Sequence, residues 1–179
     1  MAVAVIGSIN VDLFYKSSND PLIGQTIEGD SYFIRHGGKC ANQAVILRSL
    51  FEDTYFLGAL GNDAFSKLSL DNLKEKSLST NDIVLKDSQS GFALIKLKDN
   101  DNSITIFEGA NGALNEEDVD QFFENHKDLQ LIVLQLEIPL KLVEYIIELA
   151  SKKKVKVILN PAPMKPIKSS VIDKCDYII

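Results

Sequence analysis

Residues His36-Gly37-Gly38-Lys39-Cys40-Ala41-Asn42-Gln43-Ala44 gather side chains suited to an oxygen-rich ligand. Two glycines let the backbone turn closely past a bound molecule. Lys39 and Asn42 then follow at the mouth of an expected helix. A helix start offers unpaired N–H groups and a partial positive charge, which favour a polyol or an anion. Asn10 and Asp12, in Gly7-Ser8-Ile9-Asn10-Val11-Asp12, are expected at the end of the first apolar strand, where open α/β sheets bind ligands. An amide and a carboxylate two residues apart can face the same side and jointly hold neighbouring hydroxyls. Glu137, in Gln135-Leu136-Glu137-Ile138-Pro139, ends another apolar run and can share that crevice. It equally fits charge complementarity at the start of the helix after Pro139.

Other chemistry is weaker or absent. Gly37-Gly38-Lys39 is not a P-loop, because that motif needs a glycine where Phe33 stands and Ser or Thr where Cys40 stands. Gly58-Ala59-Leu60-Gly61-Asn62-Asp63 can be a glycine-rich anion hole carrying a catalytic aspartate, or a turn in which Asn62 or Asp63 caps a helix. Asn160-Pro161-Ala162-Pro163 reads mainly as a turn out of a strand. His36 and His126 have no motif partners. Cys40 has no catalytic His/Asp arrangement and reads as a packing residue.

The elements that must position these residues alternate in type. Residues 2–6 form a short apolar run suited to a strand buried on both faces. A helix is expected over 38–50, a strand over 54–57 and a helix over 63–76. Asn115, followed by Glu116, Glu117 and Asp118, starts another helix that buries Val119, Phe122 and Phe123. Leu131–Leu134 is a strand, and Pro139 sits in the first turn of a helix with Val143, Ile146, Ile147 and Ala150 on one stripe. Strands at 155–159 and 176–179 follow. Such alternation implies a parallel sheet with helices on both faces. Residues 23–35 and 91–107 break the rhythm. The second reads as a hairpin, with Asp99-Asn100-Asp101-Asn102 as its loop. These strands are expected to form a small separate sheet, a lid over the site.

Length and composition bound the function. With 179 residues, one domain with a substantial core is expected. A net charge of −6 argues against nucleic-acid and anionic-membrane partners, which need a basic face. Two cysteines make no disulfide framework, and no Cys/His cluster has zinc spacing. No apolar stretch approaches the ~20 residues of a membrane span. The expected location is the cytoplasm.

Asn10-Val11-Asp12, Gly24-Gln25-Thr26, Gly37-Gly38-Lys39-Cys40-Ala41-Asn42-Gln43-Ala44, Gly109-Ala110-Asn111, Gln135-Leu136-Glu137 and Asn160-Pro161-Ala162-Pro163 occur in the order seen in ribokinases. The chain therefore resembles the N-terminal half of the ribokinase/PfkB sugar-kinase family. That resemblance implies an α/β fold: a ribokinase-like three-layer sandwich around a parallel central sheet, plus a small β-sheet lid. Residues 1–12, 36–90 and 108–179 would form the core, and 13–35 and 91–107 the lid. Asn10 and Asp12 would hold ribose hydroxyls. Gly38, Lys39 and Asn42 would surround the sugar, with Cys40 and Ala41 on the same wall and Glu137 as a further contact.

The resemblance also implies a pentose substrate, ribose or deoxyribose, and a homodimer through the lid. The intact family enzyme uses ATP with Mg2+ and a monovalent cation, K+. Cys40 replaces the usual glycine, and Ser66 stands where glycine is common. The sequence stops at Tyr177-Ile178-Ile179, where the family continues into its Asn-x-x-Glu motif, and the later Gly-Ala-Gly-Asp anion hole is not among residues 1–179. No catalytic residue is therefore assigned here, and the chain is expected to be a truncated form, inactive as a kinase. A non-enzymatic half-kinase that binds sugar or a partner through the lid is the alternative expectation.

Overall fold

A computed structural model describes residues 1–98 and 101–179. In chain order the strands are β1 (Val3–Ile6), β2 (Asn10–Lys16), β3 (Ser31–Gly37), β4 (Thr54–Leu60), β5 (Ile83–Leu85), β6 (Gly91–Lys98), β7 (Asp101–Phe107), β8 (Leu131–Leu134), β9 (Lys156–Leu159) and β10 (Tyr177–Ile178). The helices are α1 (Lys39–Leu50), α2 (Ala64–Glu75), α3 (Glu116–Asn125), α4 (Leu140–Lys153) and the short α5 (Ser169–Ile172), with a 3-10 turn at Gly109–Ala113.

The central sheet has six strands in the order β10-β9-β8-β1-β4-β5, with parallel neighbours throughout. β1 lies in its middle and is wholly buried, as its apolar sequence requires. Alternate side chains serve opposite faces. Val3 and Val5 pack with Cys40, Ala44, Phe56 and Leu73 beneath α1 and α2. Ala4 and Ile6 pack with Val119, Phe122, Val143, Ile146 and Ala150 beneath α3 and α4. The result is the α/β/α three-layer sandwich.

A second, four-stranded sheet has the order β3-β2-β6-β7. β2 pairs antiparallel with β3 and parallel with β6, while β6 and β7 form an antiparallel hairpin. Asp101 and Asn102, expected in the hairpin loop, instead begin β7, where Asp101 pairs with Lys98. Asp99 and Asn100, the other two loop residues, lie outside the described residues.

The placement of Asn10 and Asp12 also differs from expectation. They do not end the first strand. β1 stops at Ile6, Gly7–Ile9 cross over, and Asn10 opens β2 in the smaller sheet. The break is only three residues long, too short to interrupt the sequence pattern. Capping explains other boundaries. Asn115 forms a reciprocal capping box with Asp118 at the start of α3. Pro139 is the residue before α4 rather than in its first turn. β5 had no counterpart among the expected elements, three residues being too few to display a period.

Candidate functional site

The candidate residues converge where the two sheets meet. Gly38 precedes α1 with φ of 89°, a conformation that favours glycine. A Cβ there would lie 2.7 Å from the Ser8 carbonyl oxygen. The chain therefore turns into α1 directly against the Gly7–Ile9 crossover. Gly37 serves a different need: a side chain at that position would run into the Asp12 carboxylate. Asp12 thus leans across β3 towards the root of α1.

The start of α1 is not an open anion site. The Lys39 N–H donates to Glu137 Oε2 at 2.9 Å, and the Ala41 N–H donates to the Ser8 carbonyl at 3.1 Å. The Cys40 N–H reaches Ser8 Oγ at 3.5 Å. The helix-end donors are occupied from within the chain, with Glu137 as the resident anion. Ser8 Oγ also donates to Glu137 Oε2, at 2.6 Å. Glu137 Oε1 pairs with Lys39 Nζ at 3.1 Å. The Glu137 side chain is only 9% exposed and that of Lys39 42%, so the carboxylate stands behind and the ammonium in front.

Asp12 is half-buried beside this pair. Burial pushes its carboxyl above the ordinary aspartate value, and the Glu137 charge adds to that, while Lys39 opposes it. Asn10 is buried, and its Oδ1 accepts from Asn111 Nδ2 at 2.8 Å. The same Asn111 accepts from the Ile9 N–H at 2.9 Å and donates to the Ile9 carbonyl at 3.1 Å. This closes a buried two-way bond between the 3-10 turn and the crossover. A cavity of about 140 Å³ opens beside them, lined by Asn10, Ile106, Glu108, Asn111, Leu136, Glu137, Pro163 and Lys165.

Asn10, Asp12, Lys39 and Glu137 thus come together, with Asn42 exposed on the first turn of α1. Cys40 and Ala41 do not join that wall. Both side chains are buried in the packing of α1 against the sheet. The Cys40 thiol lies against the Ile6 carbonyl at 3.7 Å and against Gln135 Oε1. Burial pushes that thiol up to about 12, so it stays protonated and inert. Asn160 lies in the turn after β9, its N–H bonded to the Leu134 carbonyl.

The structure resolves the two readings of Asp63 in favour of the cap. Its carboxylate accepts the Ser66 N–H at 3.0 Å and also ties down Ser90, whose N–H and hydroxyl donate at 2.7 and 2.8 Å. Two residues that sequence reasoning did not place in the site are Ser8 and Asn111. Asn111 sat inside a quoted motif, Gly109-Ala110-Asn111. Ser8 carried no signal beyond a small polar residue in a turn.

Residues 2–179 match the pfkB family carbohydrate kinase family. The chain is 39% identical over 182 residues to a deoxyribokinase from Salmonella typhi, covering 100% of this chain and 60% of that protein. It is 36% identical over 177 residues to a ribokinase from Lactococcus lactis, covering 98% and 59% respectively. Among solved structures, Arabidopsis thaliana ribokinase complexed with ribose and ATP superposes with a TM-score of 0.90 at 32% identity. That likeness covers 99% of this chain and 59% of the Arabidopsis chain. The chain thus spans about 60% of the length of the curated relatives it matches.

Proposed function

The chain belongs to the pfkB family of carbohydrate kinases, and from that premise we propose that residues 1–179 carry the sugar-binding part of a kinase acting on a pentose, D-ribose or deoxyribose. The observation that carries this reading is the convergence of Asp12, Lys39 and Glu137 at the root of the smaller sheet, next to a small cavity that Asn10 and Glu137 line. A carboxylate accepts hydrogen bonds from vicinal hydroxyls, and an ammonium donates to their oxygens. Asn10 is held at the cavity by Asn111. Asn42, exposed one turn along α1 from Gly38, adds an amide at the rim.

The intact enzyme, in this reading, transfers phosphate from ATP with Mg2+ and K+ to make ribose 5-phosphate. Among the described residues no group of three or more His, Cys, Asp or Glu side chains could hold a metal ion. Asp63, the aspartate in the chain's glycine-rich turn, is engaged as a cap and a strut. We accordingly assign sugar binding, not turnover, to residues 1–179 alone.

The four-stranded sheet acts as the lid. Tyr32, Phe33, Ile34, Ile104, Ile106 and Phe107 leave it with exposed apolar side chains, which supports a contact between the lids of two copies. Among the described residues no helix is long and apolar enough to cross a membrane, and a cytoplasmic setting fits a sugar kinase.

Calorimetric titration of the chain with ribose, deoxyribose and fructose tests the assignment. Binding of one of the pentoses in preference to fructose, weakened at least ~10-fold by Asp12→Ala, is expected. Unchanged pentose binding in that variant would overturn the site. ATP-dependent phosphorylation by the purified chain would overturn the assignment of binding without turnover.

A further inference from the structure

We propose that Ser8 is a positioning residue of the sugar site: its hydroxyl locks the Glu137 carboxylate against the start of α1, and that carboxylate in turn fixes the Lys39 ammonium near Asp12. This inference rests on the sugar-binding reading above.

Ser8 is wholly buried in the crossover between β1 and β2. It meets α1 through both its carbonyl, which accepts from Ala41, and its hydroxyl, which lies 3.5 Å from the Cys40 N–H. The hydroxyl's proton goes to Glu137 Oε2 at 2.6 Å, a short hydrogen bond to a charged acceptor. The same oxygen takes the Lys39 N–H at 2.9 Å. Oε2 therefore has two donors, from different segments of the chain, and the carboxylate plane is set by them. Its other oxygen, Oε1, is left facing Lys39 Nζ at 3.1 Å.

This geometry separates holding from presenting. The carboxylate is the less exposed partner and reaches the cavity lining, while the more exposed ammonium stands beside it and opposes the burial-driven rise of the Asp12 carboxyl. A lysine has a four-carbon stem and loses considerable rotamer freedom when it is fixed. Here that freedom is removed before a ligand arrives, which spares the ligand part of the ordering cost. Without the Ser8 hydroxyl, Oε2 keeps a single donor, the carboxylate can rotate about that contact, and Lys39 loses its fixed partner.

The test is a double-mutant cycle read as the ribose Kd, using Ser8→Ala, Lys39→Met and the double variant in the full chain. Ser8→Ala is expected to weaken ribose binding about 5- to 20-fold in the wild-type background, less than the full worth of one charge-assisted hydrogen bond because the serine acts through the lysine. In the Lys39→Met background it should cost less than about 2-fold, because its effect passes through the lysine. An equal cost in both backgrounds, or an unchanged Kd in Ser8→Ala, would overturn the proposal.

A second readout needs no sugar. The Lys39 ammonium resonance should be observable by NMR in the ligand-free wild type and be lost in Ser8→Ala and in Glu137→Gln. Persistence of that resonance in both variants would also overturn the proposal. Should Ser8→Ala fail to fold, Ser8→Cys keeps a side-chain donor of the same connectivity, though a bulkier and weaker one. It should give the same pattern at reduced size, and a wild-type pattern would count against Ser8. If the wild type binds no pentose but the ammonium signal still depends on Ser8, the sugar reading fails and the positioning role stands.

Discussion

Asp63 and Ser90 are joined by two hydrogen bonds, from the Ser90 N–H at 2.7 Å and its hydroxyl at 2.8 Å, while Asp63 also caps α2 through the Ser66 N–H. One carboxylate therefore ties the entry of a core helix to the residue just before β6 of the smaller sheet. Ser90 Oγ in turn accepts the Gly61 N–H at 3.0 Å. The aspartate most open to being read as catalytic is instead a joint between the two sheets.

Asp63→Ala should lower unfolding stability by about 2–4 kcal/mol, combining a lost cap with unpaired groups at Ser90. Burial by itself raises the Asp63 carboxyl, but the bonds from Ser90, Ser66 and Phe65 together outweigh it and hold the group below its ordinary value. The folded chain thus releases this proton more readily than the unfolded one. Its contribution is present above the ordinary aspartate value of 3.8 and is lost as pH falls through the lower folded value. Urea titrations of wild type and Asp63→Ala across that range should converge at the acid end.

Asp12 behaves in the opposite sense. Folding raises its pKa, so its contribution to stability is full below the ordinary value of 3.8 and is lost as pH rises through the folded value. At neutral pH a charged, half-buried Asp12 opposes folding. Asp12→Asn should therefore raise Tm at pH 7 while weakening pentose binding at least ~10-fold. Glu137→Gln removes a neighbouring negative charge and releases Lys39, and both effects favour the ionised Asp12. The Asp12 carboxyl titration, followed by carbon-13 NMR, should move to lower pH in that variant.

Asn111→Ala should cost about 2–4 kcal/mol, because three buried partners are left unsatisfied at once: the Ile9 N–H, the Ile9 carbonyl and Asn10 Oδ1. Asn111→Asp keeps the shape and the bond from Ile9 N–H but sets an acceptor against two acceptors. At neutral pH it should be as destabilised as the alanine variant, by urea titration, and should recover part of the loss in acid.

Much of this was legible in the order of residue types. The doubly buried runs Val3–Ile6 and Leu131–Leu134 became neighbouring central strands, and Asn115 began its helix with the cap its neighbours suggested. The diglycine at Gly37 and Gly38 marked a place where chain segments approach closely. What stayed hidden was long-range. That Glu137 would occupy the helix start at Lys39 depends on folding together residues 98 positions apart. A helix N-terminus looks vacant in a sequence because its partner is elsewhere. The transfer of Asn10 and Asp12 into the second sheet was hidden for a local reason: an apolar run with a three-residue crossover resembles one longer strand. Cys40, placed among the sugar contacts by its position in the motif, faces the core because helical geometry turns successive residues to different sides.

The crossover at Gly7–Ile9 has a mechanical consequence. Asn10 stands next to it, whereas Lys16, at the other end of β2, lies roughly 20 Å further along the strand. Turning the smaller sheet about its root by about 10° would sweep that far end through roughly 3.5 Å, yet shift Asn10 by well under 1 Å. A hinge at the crossover would therefore carry the far edge of the smaller sheet through a wide arc while leaving Asn10 and its bond to Asn111 nearly in place.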